Sequence, residues 1–202
     1  MKREEKLQKK RALVIGGPSG VGESTVTQAI LATHPIFTRL ITATTRLPQK
    51  RDGREERHGI DYYFFKKKEF LQEIKKGTIV EWQNTRNGVY YGTYKPELEK
   101  KLRAGRCVII NPDVVGARYF KEHYNAATIF LMPESIGSLR KRQLARKTDI
   151  SEDELKKRLQ YARYEIKHES PFYDYIVVNK DGKLDSTLKA VERILIKEKY
   201  PL

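Results

Sequence analysis

The segment Gly17-Pro18-Ser19-Gly20-Val21-Gly22-Glu23-Ser24 is a glycine-rich turn that ends on a hydroxyl. Its glycines let successive backbone N–H groups converge, and the start of a helix adds the positive end of its dipole, so the segment is suited to cradle a phosphate. The spacing is that of G-x-x-x-x-G-K-[ST], with Glu23 standing where that pattern has lysine. Ser24 is placed to ligate the Mg²⁺ that accompanies a nucleoside triphosphate. Gly17, Pro18, Ser19, Gly20, Val21, Gly22, Ser24 and Thr25 are therefore the candidate ATP-binding residues. A plain glycine turn is the competing reading, but it does not account for an apolar run before the loop and helical spacing after it.

Glu23 breaks the chemistry of this loop. The lysine normally offsets charge on the β- and γ-phosphates as a phosphoryl group moves. At ~4 Å and an effective dielectric near 20, one charge pair is about 4 kcal/mol. Losing it would cost on the order of a thousandfold in rate, and a repelling carboxylate would add to the loss. Three readings stay open: a kinase rescued by other cations, a nucleotide-binding pseudo-enzyme, and an aberrant or engineered inactive form.

A second constellation follows. Thr42-Ala43-Thr44-Thr45-Arg46-Leu47-Pro48, Gly59-Ile60-Asp61-Tyr62-Tyr63-Phe64, Val80-Glu81-Trp82 and Tyr90-Tyr91-Gly92-Thr93 place cations, hydroxyls and a carboxylate within one stretch. A nucleoside monophosphate needs these groups: cations and hydroxyls for its phosphate, and an acceptor for the N–H groups of its base. Taken singly, the tyrosines would be a packed aromatic cluster and Glu81 a solvated charge. In this order the four segments resemble the signatures of the guanylate kinase family, and the resemblance runs from Arg11 to about Ile194.

The resemblance implies that Arg46, Tyr62 and Tyr91 hold the monophosphate of GMP or dGMP together with a second arginine. Arg51 is the preferred match for that arginine because Arg51-Asp52-Gly53 keeps an R-x-G spacing, and Arg54 is the alternative. It further implies that Glu81, Thr42 and Thr93 contact the base, that Gly92 is part of the GMP site, and that Asn179 lies near the adenine of ATP. Asn111-Pro112-Asp113 stands where the family often has D-x-D, so Asp113 would serve near the magnesium. Asn111 would meet the base with a neutral amide in place of an acid, which relaxes guanine selectivity. Arg142, Arg146 and Arg158 fall where a mobile lid would supply arginines to the phosphates, and Arg46 belongs with them among the groups acting on the transferred phosphoryl. Arginines at helical spacing also form ordinary solvated faces.

The elements that must position these residues follow from periodicity. Apolar runs at residues 11–15, 40–43, 79–82, 107–110, 128–131 and 175–178 read as strands, as does the aromatic run at 61–65. Helical spacing covers 24–33, 67–76, 96–104, 114–123, 135–146, 151–168 and 185–198, with Ser151 and Glu154 as a capping box. Residues 44–59 read as loop. Wholly apolar strands alternating with helices predict an α/β fold, a parallel sheet with helices on both faces. The expected organisation is a basic tail at 1–10 and one domain at 11–202. That domain would carry a small strand-rich monophosphate-binding insert at about 40–95 and a helical lid at about 138–160.

Composition narrows the partners. The 202 residues carry 41 Lys plus Arg against 26 Asp plus Glu, a net charge of +15, which favours anionic ligands. No aromatic-basic RNA motif accompanies the charge, so nucleic acid is not the expected partner. No apolar run approaches the roughly 20 residues of a membrane span, and the N-terminus lacks the apolar core of a signal peptide. The single cysteine, Cys107, rules out an internal disulfide framework and fits a reducing, cytoplasmic setting. The expected function is ATP- and Mg²⁺-dependent phosphorylation of GMP or dGMP, impaired by Glu23. The alternative is a catalytically inactive nucleotide- or protein-binding module of the same fold.

Overall fold

A computed structural model describes residues 10–51, 53–85, 87–146 and 150–202. Nearly all of the expected N-terminal tail, residues 1–9, lies outside the described residues.

In chain order the elements are β1 (Ala12–Gly16), α1 (Glu23–Thr33), β2 (Phe37–Arg39), β3 (Ala43–Thr44), β4 (Lys50–Arg51), β5 (Arg54–Glu55), β6 (Tyr63–Phe64), α2 (Lys67–Lys75), β7 (Ile79–Asn84), β8 (Tyr90–Tyr94) and α3 (Lys95–Arg103). They continue with β9 (Cys107–Ile110), α4 (Val114–Tyr124), β10 (Ala127–Pro133), α5 (Ile136–Arg146), α6 (Glu152–Tyr164), β11 (Tyr175–Asn179) and α7 (Leu184–Lys197).

The main sheet runs β11-β10-β1-β9-β2 and every pairing in it is parallel. β1 and β9 are buried at every residue because helices cover both faces. Leu13 and Ile15 point into one layer with Val26 and Ile30 of α1, Leu139 of α5, Leu155 of α6 and Val191 of α7. Ala12 and Val14 point into the other with Leu98 of α3 and Phe120 of α4. The alternation along one strand thus assigns each helix its side of the sheet.

A second, mixed sheet runs β6-β3-β8-β7 around Ala43, Phe70 and Ile79. Its aromatic side chains are packed, with Tyr63 and Tyr94 ring centroids 4.6 Å apart. The Tyr63 hydroxyl donates to the buried Glu97 at 3.0 Å.

Several boundaries differ from the sequence expectation. The strand expected at 40–43 is divided: Phe37–Arg39 joins the edge of the main sheet and Ala43–Thr44 the second sheet, with buried Leu40 between them. Tyr90–Tyr94 is a strand, and the 44–59 loop holds the two-residue hairpin β4–β5. The helix expected to run to 168 leaves α-helical geometry after Tyr164. A π-helical turn, Glu165–Glu169, follows, and then a short 3₁₀ turn in which Pro171 forbids continuation. Among the described residues no helix is long and apolar enough to cross a membrane.

Candidate functional site

β1 lies between β9 and β10, and the chain leaves it in one direction for β2 and later returns in the other for β10. Such a reversal opens a crevice at the carboxyl ends of the strands. Two cavities occupy it. The larger, about 630 Å³, is walled by the glycine loop, the first turn of α1, Asn111 to Asp113, Arg142 and Glu165. The smaller, about 280 Å³, is walled by Thr42, Tyr62, Glu81, Gln83, Tyr91 and Gly92. Asn111, Pro112 and Asp113 belong to both walls, so the end of β9 is the partition across which the two cavities meet.

The loop owes its shape to the bonds its carbonyls make. The Val21 carbonyl accepts from Arg142 Nη1 and from Asn179 Nδ2, each at 2.7 Å, and the Ser19 carbonyl accepts from Gln143 Nε2 at 2.8 Å. The Val21 N–H closes the loop on the Pro18 carbonyl at 2.9 Å, and with these oxygens tied back to the protein, N–H groups of the rest of the loop and of the first turn of α1 are left for the larger cavity. Gly17 approaches β10 so closely that a Cβ would sit 2.6 Å from the Leu131 carbonyl oxygen. Gly22 combines a φ of 105° with an amide nitrogen of Asn179 that a Cβ would meet at 2.6 Å. Ser24 and Thr25 are exposed on the cavity wall. Pro18 and Val21 are buried, so only their backbone serves the loop.

Three residues expected at nucleotide phosphates or adenine have partners within the protein. Arg142 spends its guanidinium within the protein: Nε donates to Asp181 at 2.6 Å, Nη1 to Val21 and Nη2 to the Asn179 carbonyl at 2.8 Å. It borders the cavity as a strut of the loop. Asn179 is buried behind the loop, with its amide oxygen accepting from Thr187 at 2.9 Å. Arg158 pairs with Glu154 one turn away on α6, and it lines neither cavity. The side chains of Arg51 and Arg146 lie outside what is described, as do residues 147–149 of the expected lid.

The acidic groups of the larger cavity form a set. Burial, reinforced by Glu165, pushes the Glu23 carboxyl up to about 8. Burial together with Glu169 and Asp113 does the same to Glu165, also to about 8. Near pH 7 Glu23 is thus held mainly in its neutral form. The expected repulsion of phosphate by a carboxylate is largely relieved, while the missing positive charge is not restored. Asp113 caps α4, its Oδ1 accepting from Gly116 N at 3.0 Å. Asn111 donates through Nδ2 to the Ile15 carbonyl at 2.9 Å and lies 3.2 Å from Thr27 Oγ1. Its amide therefore ties β9 to β1 and α1, although the residue borders both cavities.

In the smaller cavity Glu81 Oε1 accepts from Thr93 Oγ1 at 2.8 Å and lies against Gly116 of α4. Burial, with Asp113 nearby, raises its carboxyl to about 7. Tyr62 and Tyr91 stand edge to face, centroids 6.1 Å apart, and the Arg46 guanidinium lies 5.2 Å from the Tyr62 ring centre. The buried Glu56 grips Arg46 with both oxygens, at 3.0 and 2.7 Å, and accepts from Gln49 N at 3.0 Å. That hydrogen-bonded pair raises the arginine pKa and lowers that of Glu56. Arg54 is engaged by both oxygens of Asp61, at 2.8 and 2.7 Å.

Glu56, Gln143, Glu165 and Thr27 were not legible as site residues. Glu56 sits in a charged run that reads as solvated, and only its 7% exposure sets it apart.

The guanylate kinase family model matches residues 9–198. A guanylate kinase of Malacoplasma penetrans is 36% identical over 184 residues, covering 89% of this chain and 90% of that protein. A guanylate kinase of Parasynechococcus marenigrum is 39% identical over 183 residues, covering 90% and 96%. The crystal structure of guanylate kinase from Anaplasma phagocytophilum superposes with a TM-score of 0.69 at 28% identity, covering 96% of this chain and 88% of that one. With the phosphate loop, the partition after β9 and the Arg46–Tyr62–Tyr91 cluster arranged as described, these likenesses establish that the chain belongs to the guanylate kinase family.

Proposed function

We propose that this chain transfers the γ-phosphoryl group of ATP to GMP or dGMP, at a rate held down by Glu23. The observation that carries this reading is the pair of cavities meeting across Asn111–Asp113, one with phosphate-loop geometry and the other with a carboxylate and a cation–tyrosine cluster. The loop N–H groups would take the ATP phosphates. Arg46, Tyr62 and Tyr91 would hold the acceptor phosphate, and Glu56 would keep the Arg46 fork preset. As a carboxylate Glu81 would accept from the N–H groups of guanine, with Thr93 and Thr42 beside it.

An oxygen of the acceptor phosphate attacks the γ-phosphorus while the bond to the β–γ bridging oxygen breaks, releasing ADP and the nucleoside diphosphate. Catalysis of this kind is positioning and charge stabilisation, so the protein needs no strong base. Ser24 and Asp113 are oxygen donors bordering one cavity, and the second Asp113 oxygen is not used in capping α4. They suit Mg²⁺, which takes few protein ligands when nucleotide phosphates supply the rest, and which would neutralise charge on those phosphates. The expected lid, α5 and α6, would move over the donor cavity; Arg142 would anchor its base to the loop.

The test is ADP formation from ATP and Mg²⁺ with a panel of acceptors. GMP and dGMP are expected to support turnover and AMP, CMP and UMP not to. Turnover with a pyrimidine monophosphate in place of GMP would contradict the reading. A binding module without turnover is the second reading, and it is favoured by the lack of a cation at position 23. GMP binding with no ADP formed, even after a lysine is restored there, would select it.

A further inference from the structure

The smaller cavity contains one polar side chain that the reading above does not employ. Gln83 follows Glu81 by two residues on β7, just past an irregularity in the β7–β8 register between Ile79 and Trp82, and both side chains are in the wall of this cavity. Across the ladder Gln83 is in register with Tyr91 of β8. All three border the cavity. Glu81 is bonded to Thr93, and Tyr91 stands against Tyr62. Among the described residues the half-buried Gln83 amide has no hydrogen-bond partner.

An amide in a cavity wall with donor and acceptor both unused is a group left for a ligand. Which part of the ligand follows from reach. The Glu81–Thr93 pair marks the base end, and the Arg46–Tyr62–Tyr91 cluster marks the phosphate end. A glutamine extends less far from its backbone than the tyrosine beside it. Gln83 is level with Tyr91, and Glu81 is bonded to Thr93 two residues further along β8, so the Gln83 amide stands short of the phosphate and to that side of the base carboxylate, alongside the sugar that joins the two. A ribose 2′-hydroxyl both donates and accepts, which matches an amide and not a phosphate.

We propose that Gln83 hydrogen-bonds the ribose hydroxyl of the acceptor and is the residue that distinguishes ribo- from deoxyribonucleoside monophosphate. The inference rests on reading this cavity as the acceptor site. One neutral hydrogen bond is a modest net gain, so the preference for GMP over dGMP should be about three- to tenfold.

Equilibrium binding separates this from the reading beneath it, because it does not depend on turnover. GMP and dGMP are titrated calorimetrically into the full chain and into Gln83→Leu and Gln83→Ala. The wild-type chain should favour GMP by about three- to tenfold, and both variants should bring the ratio near one by weakening GMP alone. Unchanged dGMP affinity also reports that the variants are folded. Equal affinities in the wild-type chain, or a ratio that survives both substitutions, would overturn the inference while leaving the acceptor site standing. If the wild-type chain bound neither nucleotide, the acceptor-site reading would fall and this inference with it.

Discussion

The Glu56 carboxylate holds the Arg46 guanidinium through two oxygens, at 2.7 and 3.0 Å, and thereby fixes the fork that faces the Tyr62–Tyr91 pair. Both partners are largely withdrawn from solvent, with side-chain exposures of 17% and 4%, so the pair is a positioning device more than a surface salt bridge. Glu56→Gln should raise the Kd for GMP about tenfold or more and leave ATP binding nearly unchanged, as titration of each nucleotide alone would show. An equal loss for both nucleotides would point to general unfolding.

Arg142 and Asn179 meet at one carbonyl oxygen, that of Val21, and so place the phosphate loop from two directions. Arg142→Ala would remove the donors to Val21, Asn179 and Asp181 together. We expect ATP affinity to fall at least about tenfold and the apo protein to lose about 1–3 kcal/mol. Lysine at the same position should recover little, since a point charge cannot reproduce a three-way fork. Chemical denaturation and ATP titration of both variants check this.

If Glu81 accepts from the base, as proposed, it ties base recognition to pH. Its carboxyl is raised to about 7 by burial, and only the carboxylate accepts from both guanine N–H groups. GMP affinity should therefore rise between pH 6 and 8. Glu81→Gln should bind GMP weakly, with the pH dependence reduced to that of the phosphate's own titration near pH 6. A wild-type affinity flat across that range would contradict the assignment of Glu81 to the base.

The same burial sets a stability trend. Glu23 and Glu165 are raised to about 8 and Glu81 to about 7, each from 4.5. The folded chain therefore binds these protons more tightly than the unfolded one. The associated stability is fully present below about pH 4.5 and lost as pH rises through 7 and 8. The melting temperature of the apo protein should fall from pH 6 to pH 9 at fixed ionic strength. Glu23→Gln, which cannot ionise, should shrink the loss of unfolding free energy over that range by about 2–4 kcal/mol at 25 °C and flatten the melting trend with it. Parallel slopes for the two proteins would show that Glu23 does not carry a buried proton.

The parts legible in the sequence were those whose physics is local. β1 and β9 are wholly apolar runs and β10 is apolar but for Thr128, and the glycine loop is fixed by spacing alone. β2 escaped because three residues, FTR, on a sheet edge carry no periodicity. β8 escaped because Tyr-Tyr-Gly-Thr-Tyr reads as a motif before it reads as a strand. Three of the expected site residues also make bonds within the protein that the sequence did not show. Arg142, Asn179 and Asn111 are charged or amide groups that looked free to meet ligands, yet each satisfies a backbone carbonyl of β1, the loop or β11. Buried carbonyls demand partners, but which side chain supplies them depends on packing between α5, β9 and β11 that no single segment encodes.

The claim that Glu23 restrains an otherwise complete guanylate kinase site is tested most directly by measuring ADP formation at saturating ATP, Mg²⁺ and GMP for the chain and for Glu23→Lys at pH 7.5. The account predicts slow turnover for the chain and a gain on the order of a hundredfold or more in kcat for Glu23→Lys, with the KM for GMP little changed. Equal kcat values would contradict it and would mean that position 23 does not control phosphoryl transfer in this loop.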